Sequence, residues 1–244
     1  MLDRLNLFGW QHILLLAVTL TGGVLLWLYR DKLKTWRHRE TVRVTMAWVL
    51  LLNMAAYYAM LWIKGTFDWR LNLPFHLCFL TNFLMIYVLM TGNRRLFQLV
   101  YFFTWIGPLP AMLWPNTPVQ FDSFLAYNFF ISHHLMLLTG LYCLYVLDYT
   151  VERRDAFRAF LFGNAIFLCI FTFNSVFGTN YIMTTELPAH ILALFPILKY
   201  LNYPILWLEL CGIAGIYAAY LLAHWYNGSE RRRLAIATVQ SAAG

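Results

Sequence analysis

The sequence predicts an all-α protein with seven membrane-spanning helices. Hydrophobic residues make up 61% of the chain and charged residues only 12%, whereas an ordinary soluble domain carries about 25% charged residues. The charges are clustered, and the apolar stretches between them have roughly the 20 residues that a helix needs to cross the hydrocarbon core. These stretches do not alternate as barrel strands do, so helices must satisfy the backbone hydrogen bonds within the bilayer.

Seven apolar stretches have this length. In chain order they are residues 7–29, 42–63, 73–91, 96–114, 124–147, 156–177 and 203–226. The stretch 187–200 is also apolar, but it is shorter and is interrupted by Pro188 and Pro196, which favours a re-entrant or interfacial segment. Residues 1–244 are thus expected to form one transmembrane domain, with residues 227–244 as a cytoplasmic tail.

Lysine and arginine predict the orientation, because these residues near span ends stay on the cytoplasmic side. With the N-terminus outside, fourteen of the 18 fall on the cytoplasmic side and four on the outer side. The largest group is in RDKLKTWRHRE, which follows the first span. The sequence therefore predicts an N-out/C-in topology. The net charge of +7 is explained by this asymmetry and by attraction to anionic lipid, without nucleic-acid binding.

In this orientation most polar side chains within the spans lie at one depth, near the outer surface. Ionisable residues in a bilayer are costly and usually face a bundle interior or a wet cavity. Five of the seven histidines fall in this zone, together with Glu209 and three residues at the exit of the sixth span. These residues are His12, His76, His133, His134 and His190, and Asn174, Asn180 and Tyr181. The pattern predicts a polar pocket facing the extracytoplasmic side, although His12 and His190 can also be simple interfacial hydrogen-bonders.

Cys78 differs from the other cysteines in its expected place at a helix start. Pro74 suits the first turn of a helix and Asn72 lies near the cap, which places Cys78 about four residues into the third span. There, unpaired N–H groups and the positive end of the helix dipole favour the thiolate. The remaining cysteines, Cys143, Cys169 and Cys211, are expected to act as small apolar residues.

The partner of Cys78 is expected from another span. Asn82 shares a helix face with Cys78. His76 is two residues away, so on a regular helix it points elsewhere. His133 and His134 have the right depth to serve as the base, which would form a cysteine–histidine pair assembled in space.

Four motifs in these regions resemble the bacterial YwaF-like integral membrane proteins. They are PFHLCFLTNFLMIYVLMTGNRRLFQLVYFFTWIGPLPAMLWP, FFISHHLMLLTGLYCLYV, FGTNYIM and YPILWLELCGIAGIY, in order over residues 74–217. That family is similar to the eukaryotic transmembrane protein 164 family, described as acyltransferases that remodel ether phospholipids through a cysteine and a histidine. The resemblance implies a bacterial cytoplasmic membrane location, with Cys78 and the pair His133/His134 as catalytic residues. His133 is favoured because the bacterial pattern usually has a single histidine after residue 132.

The leading hypothesis is a lipid acyltransferase or transacylase that takes an acyl chain from a membrane phospholipid and needs no cofactor. Cys78 would attack the ester, and His133 or His134 would act as the base. Asn82, Asn174, Asn180 or Tyr181 would donate hydrogen bonds to the oxyanion. His76, Glu209 and His12 would support the site.

Two alternatives use the same polar residues differently. A seven-helix zinc-dependent lipid hydrolase would take ligands from His12, His76, His133, His134 and Glu209. The sequence has no H-x-x-x-H or H-E-x-x-H spacing to favour it. A non-enzymatic transporter or sensor would bind a ligand in the outward-facing pocket.

Overall fold

The apolar runs of the sequence form helices. The computed structural model describes residues 7–115, 123–187, 189–200 and 204–243, and every regular element in these ranges is helical, which confirms the all-α prediction. The helices are α1 (Trp10–Thr35), α2 (Arg39–Ile63), α3 (Trp69–Asn72), α4 (Leu77–Thr91), α5 (Arg94–Ile106), α6 (Pro108–Leu113), α7 (Phe124–Tyr145), α8 (Arg153–Phe177), α9 (Ala189–Leu194) and α10 (Pro204–Ala243). Two short 3₁₀ turns cover Tyr181–Met183 and Pro196–Tyr200.

In this part of the chain six helices are long and apolar enough to cross a membrane, α5 and α6 counting as one. The exception among the predicted spans is the third. Its helix, α4, has 15 residues, fewer than the roughly 20 needed to span the hydrocarbon core. The seven-span count and the N-out/C-in orientation therefore stay predictions. The described residues of the region 187–200 form α9, which has six residues, and a 3₁₀ turn, in keeping with its interpretation as a non-spanning segment.

Two predictions about the start of the third span are wrong. The helix begins at Leu77 rather than at Pro74, and Asn72 is the last residue of α3 rather than a cap of α4. The physical reason is a turn at Pro74: Leu73 precedes a proline and is extended, and its backbone oxygen accepts from the Phe75 N–H at 2.7 Å. His76 is extended as well and is the N-cap of α4. Cys78 is thus the second residue of its helix.

Charged contacts tie the helices together at the end of the bundle where α1 ends and α2 and α8 begin, which we call the basic end. Arg30 of α1 pairs with Glu230 of α10 at 3.1 Å, and Lys34 pairs with Asp148 at 2.7 Å. α10 continues through the predicted tail as far as Ala243. With α4 included, the helices α1, α2, α4, α5, α7, α8 and α10 run alternately toward and away from the basic end.

The core is centred on α5, which packs against α4, α7, α8 and α10. Its Phe97, Tyr101 and Phe102 are fully buried. α2 and α7 are joined by a pair of asparagines, in which the Asn128 side-chain amide donates to the Asn53 backbone oxygen at 2.6 Å. α8 and α10 carry far fewer buried residues, and the space between them and α5 is not filled at one end.

Candidate functional site

A cavity of about 520 Å³ lies between the start of α4, the α5–α6 break, α8 and α10. Its walls are mainly apolar, and aromatic rings form much of them. The aromatic residues are Phe103, Trp114, Phe160, Phe167, Phe195 and Trp207. Five residues with polar or sulfur atoms interrupt this surface: His76, Cys78, Asn164, Glu209 and Cys211. A concave, apolar site with a few polar groups is the usual form of a small-molecule or lipid-tail site.

Cys78 reaches the cavity from the first turn of α4. The backbone N–H of Cys78 lies beside its own sulfur, whereas the Phe79 N–H donates to the His76 backbone oxygen at 3.0 Å. The first N–H groups of a helix have no partner within the helix. They can therefore donate to a sulfur that carries negative charge, as the nucleophilic form does.

His76 lines the same cavity as Cys78. The expectation that it points away assumed a regular helix through both residues, and that assumption is wrong because the helix begins at Leu77. The His76 ring packs edge-on against Tyr181, with ring centres 5.1 Å apart, and its Nδ1 lies 3.4 Å from the backbone N of Ile182.

His133 is buried on α7 with one ring nitrogen unpartnered. Its Nδ1 lies 2.7 Å from the backbone oxygen of Phe129, while the buried Nε2 has no hydrogen-bond partner. Because a carbonyl oxygen can only accept, Nδ1 carries the hydrogen and Nε2 of the neutral ring has a free lone pair. This is the state that a general base requires.

His134 faces a different neighbour. Its Nδ1 is hydrogen-bonded to the Thr19 hydroxyl of α1, and its Nε2 is also buried without a partner. A hydroxyl can donate or accept, so this contact does not fix which nitrogen carries the hydrogen. In the described part of the chain neither His133 nor His134 lines the cavity that contains Cys78.

Contacts with α5 give the positions of His133 and Cys78 relative to each other. Gly140 of α7 lies against Thr104, and Gly107, about one turn further along α5, lies against Leu77. His133 is two turns from Gly140 on the same face of α7, in the direction of the Gly107 end of α5. Cys78 and His133 therefore flank the same end of α5 from two helices.

Two further buried polar atoms near this region lack partners: the Tyr58 hydroxyl and Asn82 Oδ1. Asn82 is one turn beyond Cys78, and the Tyr58 ring packs 5.9 Å from that of Phe79. The sequence did not identify Tyr58 as a candidate, nor Asn164 and Trp207 in the cavity wall. The signal available for Tyr58 was a tyrosine pair in the second span at the depth of the predicted pocket.

Asn174 and Asn180 organise the segment that follows α8. Asn174 is buried, and its amide donates to the Tyr181 backbone oxygen at 2.8 Å and to the Thr184 hydroxyl at 2.7 Å. Its oxygen accepts from Thr179 and from the Tyr181 backbone. The exposed Asn180 bonds to Thr185 and Glu186. Both side chains therefore have protein partners, which they would have to give up to serve as oxyanion donors.

Tyr181 also has its hydroxyl engaged. The hydroxyl donates to the backbone oxygen of Trp69 and accepts from the Leu73 backbone N–H at 3.0 Å. Burial raises the pKa of the Tyr181 phenol, so it stays a neutral donor. The next two residues, Ile182 and Met183, line the cavity with φ of 57° and 60°, a conformation that is strained for a β-branched residue such as isoleucine.

We expect Asn174→Ala to lower the free energy of unfolding by about 2–4 kcal/mol, because it leaves several buried partners unsatisfied. Thermal unfolding in detergent measures the change. Ser175→Ala is the matched control, since Ser175 is exposed and bonds only to Phe171 of its own helix, and its effect should stay within about 0.5 kcal/mol. Equal effects of the two substitutions would contradict the structural role of Asn174.

The two remaining predicted residues have different surroundings. His12 is fully buried and uses both ring nitrogens, with Nε2 at 2.7 Å from the Met112 backbone oxygen and Nδ1 accepting from Phe8 N–H at 3.0 Å. Glu209 is half-buried on α10 and lines the cavity. The His190 side chain lies outside the described residues. Within the described ranges no three His, Cys, Asp or Glu side chains come together as a metal site requires.

The fold and the cavity together define the class of protein: a multi-pass helical membrane protein with a cysteine in an apolar cavity between its helices. A model of the TMEM164 family matches residues 7–234, and the chain belongs to this family. No curated protein and no solved structure matches the chain. The family match confirms the resemblance to the transmembrane protein 164 family and indicates an acyltransferase-like membrane protein. The bacterial YwaF-like branch stays a prediction.

Proposed function

We propose that this protein is a membrane-embedded acyltransferase that moves a fatty acyl chain from a phospholipid to a lipid or lipid-like acceptor, with Cys78 as the nucleophile. The observation that carries the proposal is the position of Cys78, at a helix N-terminus in the wall of an apolar cavity among membrane-spanning helices. A thiol in such a place meets both the reactive ester and the hydrocarbon tail of a lipid. A protein that only binds a lipid does not need a nucleophilic thiol at a helix N-terminus.

The chemistry runs in two balanced steps. The Cys78 sulfur attacks the ester carbonyl carbon and forms an S–C bond. The ester C–O bond then breaks, and the departing lysophospholipid oxygen takes the proton that a histidine removed from the thiol. In the second step the acceptor hydroxyl gives its proton to the same histidine and attacks the thioester. The sulfur leaves and recovers the proton.

The proposed base is His133, because its Phe129 contact leaves Nε2 unprotonated and its Nε2 has no other partner. His76 is the second candidate, because it shares the cavity with Cys78. The oxyanion is proposed to accept hydrogen bonds from the backbone N–H groups of Leu77 and Cys78, the first two of α4, and from the Asn82 amide, one turn further along the helix.

The proposed location is the bacterial cytoplasmic membrane, with the cavity nearer the extracytoplasmic face. The distribution of lysine and arginine supports this location, because these residues are concentrated at the basic end. Cys78 and Glu209 lie near the ends of α4 and α10 that are far from the basic end.

The test is acyl exchange by purified protein in vesicles that contain a phospholipid with an isotope-labelled acyl chain and an unlabelled lysophospholipid. We expect labelled diacyl product and a labelled thioester on the Cys78 peptide, found by mass spectrometry. Added chelator should leave the rate unchanged, since no metal takes part in the proposed steps. Binding of the phospholipid without any exchange would instead favour the transporter or sensor alternative. A rate that chelator removes and zinc restores would favour the hydrolase alternative.

A further inference from the structure

We infer that Gly212 determines which acyl chains the cavity accepts, by leaving open the space that a long chain must occupy. This inference rests on the acyltransferase function proposed above. It concerns a residue of α10 that takes no part in the bond-making steps.

The cavity follows α10 for several turns. Its walls include Trp207, Glu209, Gly212 and Ile216, and nine residues of helix correspond to about 13.5 Å. One end, which we call the tryptophan end, contains Trp114 and Trp207. The other end, the floor, is formed by Phe103, Phe160 and Ile216.

The floor is closed by tight packing. Ile216 and Phe160 belong to or pack on the main core cluster. One turn further along α10, the Tyr101 hydroxyl donates to the Ala219 backbone oxygen at 3.1 Å and joins α5 to α10. An acyl chain in the cavity therefore cannot extend beyond this end.

Two close contacts give the height of Cys78 within the cavity. The Leu77 side chain lies against Gly107, and the neighbouring Ile106 side chain lies against Gly215. Cys78 is therefore level with the middle and lower turns of the α10 wall rather than with Trp207. A chain attached to its sulfur starts part of the way down, so a long chain must fill the cavity on both sides of Gly212.

Gly212 is the place where the α10 wall has no side chain. It lies one turn from Glu209 and one turn from Ile216, and a Cβ added to it would have no atom of the described residues within 4 Å. A Cβ there would enter the cavity without contacting the described residues. Gly215 differs, because a Cβ there would lie 2.6 Å from Ile106. The space at Gly212 is therefore open among the described residues, and its apolar walls among spanning helices match a hydrocarbon chain.

The experiment compares Gly212→Ala, Gly212→Val and Gly212→Leu with wild type in the vesicle assay, using hexanoyl and palmitoyl donors in competition. We expect the palmitoyl-to-hexanoyl rate ratio to fall in steps, reaching at least about tenfold for leucine, since a poor fit of even one methylene group costs that much in a closed pocket. Hexanoyl transfer should stay near the wild-type rate. Ala214→Leu is the matched control, because Ala214 is exposed on the same helix, outside the cavity wall, and its ratio should not change.

An unchanged ratio in Gly212→Leu, or an equal loss with both donors, would overturn the inference. If the leucine variant does not fold, wild-type protein with a palmitoyl donor bearing a terminal diazirine gives the answer. Light-induced labelling of α8 and α10 peptides around Gly163 and Gly212 supports the inference, and labelling confined to peptides outside the cavity contradicts it. Failure of the acyltransferase proposal itself looks different, because wild type would then transfer neither chain.

Discussion

Replacing Cys78 with alanine is expected to abolish acyl transfer, lowering the rate on the order of 10³-fold or more, as removal of a nucleophile does in other covalent enzymes. Without the sulfur no acyl-enzyme forms, and the remaining N–H groups and histidines have no intermediate on which to act. Loss of the labelled acyl chain from the donor and appearance of labelled diacyl product, measured in the same vesicles, report the two half-reactions separately. Both should disappear together.

The chain offers a matched control in Cys211, which lines the same cavity from the middle of α10. Cys211→Ala removes the same atom from the same space, yet it should retain close to wild-type activity because no helix N-terminus supports that sulfur. Cys78→Ser keeps the shape of the site and should remain nearly inactive, since a hydroxyl is a much weaker nucleophile than a thiolate. Full activity in Cys78→Ala would remove the thiol mechanism, whatever the family of the protein.

His133→Ala is expected to lower the transfer rate by about 10²- to 10⁴-fold, the range that general acid–base catalysis supplies. The reason is that the Phe129 carbonyl leaves the buried Nε2 of His133 unprotonated, whereas the Thr19 hydroxyl does not fix which nitrogen of His134 carries the hydrogen. His134→Ala should therefore retain most of the activity. Both variants remove a buried or half-buried ring, so thermal unfolding should accompany the kinetic measurement.

The alkylation rate of Cys78 distinguishes a base from a structural residue. Iodoacetamide reacts with the thiolate, and mass spectrometry of the Cys78 peptide follows its modification apart from that of the exposed Cys169 and Cys211. His133→Ala should slow this modification if His133 draws the proton from the thiol. If His76→Ala slows it instead and His133→Ala does not, the base is the histidine in the cavity and the proposed role of His133 is wrong.

The sequence was sufficient to predict the long apolar helices. An apolar stretch of about 20 residues in a bilayer has to satisfy its backbone hydrogen bonds internally, which a helix does. It was insufficient at the start of α4. There the outcome depends on a local competition: Asn72 uses its side chain within α3, accepting from the Asp68 backbone N–H at 2.8 Å, and Leu73 precedes a proline. The helix consequently begins three residues later than Pro74 suggested, and His76 moves from a helix face into the cavity wall.

The site was predictable in part for the same kind of reason. Cys78 and Glu209 were candidates because of their expected depth in the membrane and the energetic cost of an ionisable group there. Both line one cavity. The roles of Asn174 and Asn180 were not accessible, because their partners lie in a non-helical turn whose shape no periodicity reveals. His12 was a candidate by depth alone, and only the Met112 and Phe8 contacts show that both its nitrogens are engaged. The space at Gly212 arises from the packing of three helices, so the sequence of α10 alone does not reveal it.

Cys78 lies level with the middle and lower turns of the α10 wall, closer to the floor of the cavity than the two tryptophans are. This position affects what happens to the acyl-enzyme. A thioester is thermodynamically prone to hydrolysis, and an enzyme that must pass its acyl group to another lipid has to keep water away between the two half-reactions. When the acyl chain fills the hydrocarbon-lined space around the sulfur, it shields the thioester from water until a second lipid arrives. The protein would then be long-lived in its acylated form, and exchange between lipids would outpace the loss of fatty acid to water.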